Sequence, residues 1–193
     1  MNRIVLTGGP GAGKTVIATR LVARHPDKLV LVSEAATQVY EALHTRWDRL
    51  DIEGRRNLQR RIYRLQIEQE QRIAREHPDR SLLLDRGTVD GAAYWPDGPE
   101  DYWRDIGSSF ATESKRYDMV IWLESAAARG LYDGDQSNPR RFEDARGAIE
   151  TGRRLLEVWR GHPNLKRVGA FTDFEQKFFI VTGIVDVCIR SAW

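Results

Sequence analysis

Short apolar runs alternate along the chain with longer amphipathic stretches. Five runs have the length and the leucine- or β-branched-rich content of strands: Arg3 to Thr7, Leu29 to Ser33, Ser81 to Leu84, Met119 to Leu123 and Leu165 to Phe171. Enough residues lie between successive runs to hold a crossover helix, so the strands are expected to pair in parallel, with helices on both faces. Three of the four histidines precede proline, at His25-Pro26, His77-Pro78 and His162-Pro163. Proline disfavours helix at the residue before it, so each pair marks a helix end.

Between these punctuation marks the helical period is clear. Asn57 to Glu76 sets Leu58, Ile62, Leu65 and Ile73 on one stripe and arginines on the remaining faces. Phe174 to Arg190 carries Phe174, Phe178, Val181, Val185 and Cys188 at helical spacing, which predicts a helix packed on the sheet. Gly87 to Arg116, interrupted by Pro96, Gly98, Pro99 and Gly107, reads as helix plus surface loop. No repeat or low-complexity tract divides the chain, so residues 1–193 are read as one domain.

Composition narrows the class. Thirty basic residues face 28 acidic ones, a balance that argues against a nucleic-acid wrapper. The basic side holds 25 Arg and only 5 Lys, and arginine is the planar, bidentate partner of phosphate and carboxylate. Cys188 is the only cysteine, which excludes an intramolecular disulfide and multi-cysteine metal sites. Phe178 to Ile189, the longest apolar stretch, is broken by Thr182, Gly183 and Asp186 and is too short to span a bilayer. With no secretory leader ahead of Arg3, the expected location is cytoplasmic.

The chemistry starts at Gly8-Gly9-Pro10-Gly11-Ala12-Gly13-Lys14-Thr15, which fits G-x-x-x-x-G-K-[ST] without a mismatch. It follows a strand and precedes a helical stretch opening at Val16, the context in which glycines let backbone N–H groups converge on phosphate oxygens. Lys14 would reach the β- and γ-phosphates of ATP and Thr15 would hold Mg²⁺. In an open parallel sheet the ligand crevice lies beyond the carboxyl ends of the strands. Asp85, ending the run Leu82-Leu83-Leu84, is there either a Mg²⁺ acid or a helix N-cap. Arg86 is a phosphate clamp or a surface ion pair. Glu34 would accept a proton from an attacking hydroxyl, or serve as a favourable charge at a helix N-terminus. The polar segment from Leu131 to Arg141 reads as part of a lid around 129–141, where Arg140 and Arg141 would neutralise a transferring phosphoryl group, or else as a solvated loop. Tyr94, Trp95 and Trp103 would stack a planar acceptor or pack in the core. The histidines lack metal-ligand spacing.

Taken together, the P-loop, Glu34-Ala35-Ala36, Leu84-Asp85-Arg86-Gly87 with Asp90 and Tyr94, the helix containing Gln59, Gln66 and Glu70, and Phe142-Glu143-Asp144-Ala145 resemble a known family. It is that of the small P-loop proteins labelled AAA-domain ATPases, of the nicotinamide-riboside-kinase-like type. The resemblance covers essentially the whole chain, although Thr37 stands where the family often has arginine. It implies a P-loop NTPase three-layer sandwich with strand order 2-3-1-4-5, binding of ATP and Mg²⁺, and a site formed by Lys14, Thr15, Glu34, Asp85 and Arg86.

The leading expectation is a kinase that passes the γ-phosphate of Mg-ATP to a small hydroxyl-bearing acceptor, a nucleoside or related metabolite. Glu34 or Asp85 would orient the hydroxyl, and a homo-oligomer is compatible with the sequence. The alternative is a nucleotide-dependent regulatory ATPase or GTPase that signals through a partner. Binding of a polynucleotide end by Arg55, Arg56, Arg60, Arg61 and Arg64 is the weakest reading, because interleaved Glu and Gln suit a solvated helix face better.

Overall fold

The computed structural model describes residues 1–131 and 144–190. Its strands are β1 (Arg3–Thr7), β2 (Leu29–Val32), β3 (Ser81–Asp85), β4 (Met119–Leu123) and β5 (Leu165–Val168). They form one sheet in the order β2-β3-β1-β4-β5, with every pairing parallel. The longer helices are α1 (Lys14–Arg24), α2 (Ala35–Ala42), α3 (Ile52–Glu76), α7 (Ala145–Trp159) and α8 (Phe174–Arg190). Between β3 and β4 run three more, α4 (Gly91–Tyr94), α5 (Pro99–Ile106) and α6 (Phe110–Ser114).

The pleat divides the core between two faces. Ile4 and Leu6 of β1, with Leu83 and Ile121, meet Ile17 and Leu21 of α1 and Val181 and Val185 of α8. Val5, Leu82, Leu84 and Val120 point the other way, against Val89, Tyr117 and Trp159. A central parallel strand buried on both faces reads as a continuous apolar run, which is why these segments stand out in the sequence. The three-layer α/β sandwich and its strand order are as expected. His25 and His77 are the C-caps of α1 and α3, and His162-Pro163 lies just beyond α7. No helix among the described residues is long and apolar enough to cross a membrane.

Several details differ from the expectation. Strand β5 stops at Val168, three residues short, and β2 ends before Glu34, which becomes the N-cap of α2. Helix α3 starts five residues early because the Asp51 side chain accepts the Gly54 N–H at 2.7 Å, a cap the apolar stripe did not reveal. Its inward face is polar: the buried residues are Leu58, Gln59, Gln66, Gln69 and Glu70, so of the expected stripe only Leu58 is fully enclosed. Polar groups tolerate this burial when paired. Glu70 accepts from Tyr117 Oη at 2.8 Å, Arg116 Nη2 at 2.8 Å, Gln66 Nε2 at 3.0 Å and Arg3 Nη1 at 3.3 Å. Gly87 to Arg116 holds more helix than the turn residues suggested, and Trp95 and Tyr102 there form a small core of their own.

Candidate functional site

At the end of β1 the chain curls from Gly8 to Gly13 and enters α1 at Lys14. Gly13 sits at the helix N-cap with φ 83, a left-handed conformation that L side chains rarely adopt. Gly9 is required for a different reason. A Cβ there would collide with the Ala148 carbonyl oxygen and reach 3.0 Å from Gly152 N, so the loop rests directly on the backbone of α7. The loop is also held from outside: Ser125 Oγ donates to Pro10 O at 2.5 Å, Ala126 N to Gly11 O at 3.2 Å, and Lys177 Nζ of α8 to Ala12 O at 2.9 Å.

Lys14 is 8% exposed, and its Nζ donates to Gly8 O at 2.9 Å and Gly9 O at 3.2 Å. Burial, reinforced by the Arg86 guanidinium, lowers this ammonium to about 8. Thr15 Oγ1 donates to Asp85 Oδ2 at 2.6 Å. Asp85 closes β3 and caps no helix, so the N-cap reading fails. Its Oδ1 is buried with no hydrogen-bond partner, and burial raises its carboxyl, against the pull of Lys14. A hydroxyl and a carboxylate meeting beside an orphaned oxygen fit a hard cation that completes its shell with water and phosphate oxygens. No group of three His, Cys, Asp or Glu able to hold a metal occurs among the described residues.

Arg86 adopts φ 80, one of two non-glycine residues with positive φ among those described. That turn brings its side chain back across the sheet end. Nε donates to Glu34 Oε1 at 2.5 Å, Nη1 to Asp90 Oδ2 at 3.2 Å, and the guanidinium lies 5.6 Å from the Tyr94 ring centroid. Burial alone would raise the Glu34 carboxyl. The Arg86 and Lys14 charges, with hydrogen bonds from Arg86 and Thr37, hold it down at about 2. Arg86 is thus in an ion pair that is partly buried rather than on the open surface, and Glu34 also stands at the N-terminus of α2, where a negative charge is favourable.

Between α2, α3 and α4 lies a cavity of about 400 Å³. It is lined by Pro10, Lys14 and Thr15, by Glu34 and Arg86, and by Gln59, Ile62 and Tyr63 of α3 with Tyr40, Tyr94 and Tyr102. Of the aromatic residues weighed from sequence, Tyr94 faces this space and Trp95 is core. Asp85 does not line it. Val16 is exposed on the first turn of α1. Arg129 donates through Nε to Ala170 O at 3.2 Å, while Arg140 and Arg141 lie outside the described residues, as does most of the segment read as a lid. Arg56 and Arg60 are spent on Asp97, Asp101, Asp105 and Glu53, which supports a solvated ion-paired face.

An AAA domain family model matches residues 3–177. The chain belongs to this AAA domain family. No curated protein matches it significantly. Among solved structures, the AAA domain resembles the NadR protein in complex with NAD and AMP-PNP, at TM-score 0.67 and 16% identity over 95% of this chain. A second NadR structure, in complex with NR, gives TM-score 0.67 at 15% identity. Both comparisons cover 48% of the NadR chain, so the AAA domain spans about half the length of that protein. Thymidylate kinase from Candida albicans matches at TM-score 0.67 and 14% identity, with 96% of this chain and 91% of that one covered. The fold is that of P-loop kinases.

Three residues at the site had no role assigned from the sequence, although Asp90 and Gln59 are among those that carry the family resemblance. Asp90 is buried and accepts both Thr7 Oγ1, at 2.9 Å from each oxygen, and Trp159 Nε1 at 2.5 Å, besides Arg86. Lys177 is buried at the loop, also donating to Glu124 O at 2.6 Å. The available sign was a lysine in register with the apolar stripe Phe174 and Val181. Gln59 faces the cavity from α3, and its sign was a glutamine beside Leu58 on the inward side.

Proposed function

We propose that this AAA domain is a kinase that transfers the γ-phosphate of Mg-ATP to the hydroxyl of a small acceptor held in the cavity. The observation that carries this reading is the continuity of one cavity from the phosphate-loop residues Lys14 and Thr15 to the Glu34–Arg86 pair. A hydrolase needs room only for water. About 400 Å³ beside the loop suits a second substrate.

In this reading the backbone N–H groups from Gly11 to Thr15 cradle the triphosphate, and Lys14 exchanges its two carbonyl partners for phosphate oxygens. Thr15 and Asp85 are the residues that would hold Mg²⁺. When bound, the ion would neutralise negative charge on the triphosphate. Glu34, ionised and facing the cavity, accepts a hydrogen bond from the acceptor hydroxyl and aims its oxygen. Little proton abstraction is needed before a loose transition state, so a carboxylate held near 2 suffices for orientation. Arg86, fixed by Glu34 and Asp90, presents positive charge to the group in flight, and Arg140 and Arg141 are proposed to add to it. Asp85 serves the metal, and Glu34 the acceptor.

A panel of hydroxyl-bearing metabolites incubated with γ-labelled ATP tests this. Transfer of label to one acceptor class supports it, whereas label passing only to water across the panel removes the kinase reading.

A further inference from the structure

Lys177 holds a positive charge in a costly place. It is 5% exposed, in the first turn of α8, and its Nζ donates to two carbonyl oxygens, Ala12 O at 2.9 Å and Glu124 O at 2.6 Å. The carboxylate whose charge acts on it, that of Glu124, turns its Oε2 to the Ala170 N–H at 2.8 Å instead. A buried ammonium that meets only carbonyl dipoles is incompletely compensated for the water it has lost. Lys14 bears the same burden and is matched to phosphate directly. Lys177 does not line the cavity, so its charge acts through the loop.

The loop shows how. Three successive carbonyls are tethered from outside: Pro10 O by Ser125 Oγ, Gly11 O by Ala126 N and Ala12 O by Lys177 Nζ. A trans peptide is planar with its C=O and N–H opposed, so each tether directs the N–H of the next residue away from itself. Of those three N–H groups, that of Ala12 is spent on Gly9 O at 3.3 Å. Lys177 directs the last of them, the Gly13 N–H, next to Lys14. Glycine, with φ 83 here, offers little resistance of its own to rotation of that peptide. Phe174, one turn earlier on α8, closes on the same residue, since a Cβ added to Gly13 would lie 2.9 Å from Phe174 Cε2. Helix α8 thus grips the loop at two adjacent residues, and of the three tethers only Lys177 carries charge.

We infer that Lys177 is a positioning residue for the polyphosphate chain: it holds the Ala12 carbonyl outward so that the Gly13 N–H faces the phosphates, and it sets behind the loop a positive charge that the arriving anion compensates. The inference rests on the phosphate-loop part of the proposed function and is indifferent to what receives the γ-phosphate. The group it serves is the phosphate chain, not the base or the acceptor.

Inorganic tripolyphosphate with Mg²⁺ is the probe, because it has neither base nor ribose. It is titrated calorimetrically into the full chain near neutral pH, at a temperature where every variant is folded. Lys177→Met, of similar length without charge or donor, should weaken binding by about tenfold or more. Lys177→Gln, which keeps a donor but no charge, should show a smaller loss. Val181→Ala, one turn further along α8 in the core against the sheet, should lower Tm and bind tripolyphosphate as wild type does. The two Lys177 variants answer independently, so a folding failure in one leaves the other decisive. Wild-type affinity in either folded variant overturns the inference, as does an equal loss in Val181→Ala, which would reduce the effect to helix packing. A wild type that binds no tripolyphosphate removes the phosphate-loop reading and this inference together. Binding that depends on Lys177, with label from ATP passing only to water, removes the kinase reading and leaves Lys177 in its role.

Discussion

Lys14 enters function from a committed position, with its ammonium turned onto the Gly8 and Gly9 carbonyls. Lys14→Ala removes a desolvated charge whose partners are main-chain oxygens, so the fold should survive while nucleotide binding fails. Calorimetry with Mg-AMP-PNP and a melting curve check both halves, and unchanged affinity would overturn the phosphate-loop assignment. Lys177 offers a pH test at the same scale. Burial lowers its ammonium from 10.5 to about 8, so between those values the unfolded chain binds more protons than the folded one. Stability contributed through this group therefore rises with pH from about 8 to 10.5 and is at its least below 8. The difference in unfolding free energy, wild type minus Lys177→Met, should climb across that window. A flat difference would show that Lys177 titrates normally.

Among the elements, α7 matters more than its distance in sequence suggests. Ala148 and Gly152 touch Gly9 of the phosphate loop, and Trp159, at the other end of the helix, donates to Asp90. Gly9→Ala would force loop and helix apart, at a cost of about 1–3 kcal/mol for overpacking. Urea unfolding should show the loss and calorimetry a weaker triphosphate. Wild-type stability in that variant would mean the contact yields freely. The contact also shows where sequence reading reaches and stops. The strands were legible because burial on both faces leaves unbroken apolar runs such as Leu82-Leu83-Leu84, and His25 and His77 ended their helices through proline sterics. Lys14 and Thr15 stood out through the phosphate-loop motif, and Asp85 through its place at the end of the run Leu82-Leu83-Leu84, where the structure ends β3. The buried side of α3 was not, because Gln59, Gln66 and Glu70 look like solvated residues until Tyr117, Arg116 and the cavity are brought to them. The role of Asp90 was hidden likewise, since two of its partners, Thr7 and Trp159, lie 83 and 69 residues away.

At the scale of the molecule, a ligand bridging the loop, β3 and α2 should stiffen the whole assembly. Mg-ATP at a hundred times its Kd is worth about 2.7 kcal/mol to the folded state. For a chain of this size that raises Tm by roughly 5–10 °C. EDTA should remove most of the gain, and so should Asp85→Asn, which keeps a partner for Thr15 but loses the charge. A full shift in EDTA would mean that the nucleotide binds without the metal. The double engagement of α7 also limits how such a chain can vary. About 16 Å of helix separates Ala148 from Trp159, so this element works as a gauge block between the phosphate loop and the Asp90–Arg86 pair. One inserted residue between Gly152 and Trp159 would swing the indole by about 100° and withdraw its N–H from Asp90. Length changes are tolerable in the Trp95–Gly98 turn, where Gly98 has open space around it, whereas within α7 a single codon gained or lost would put the two halves of the site out of step.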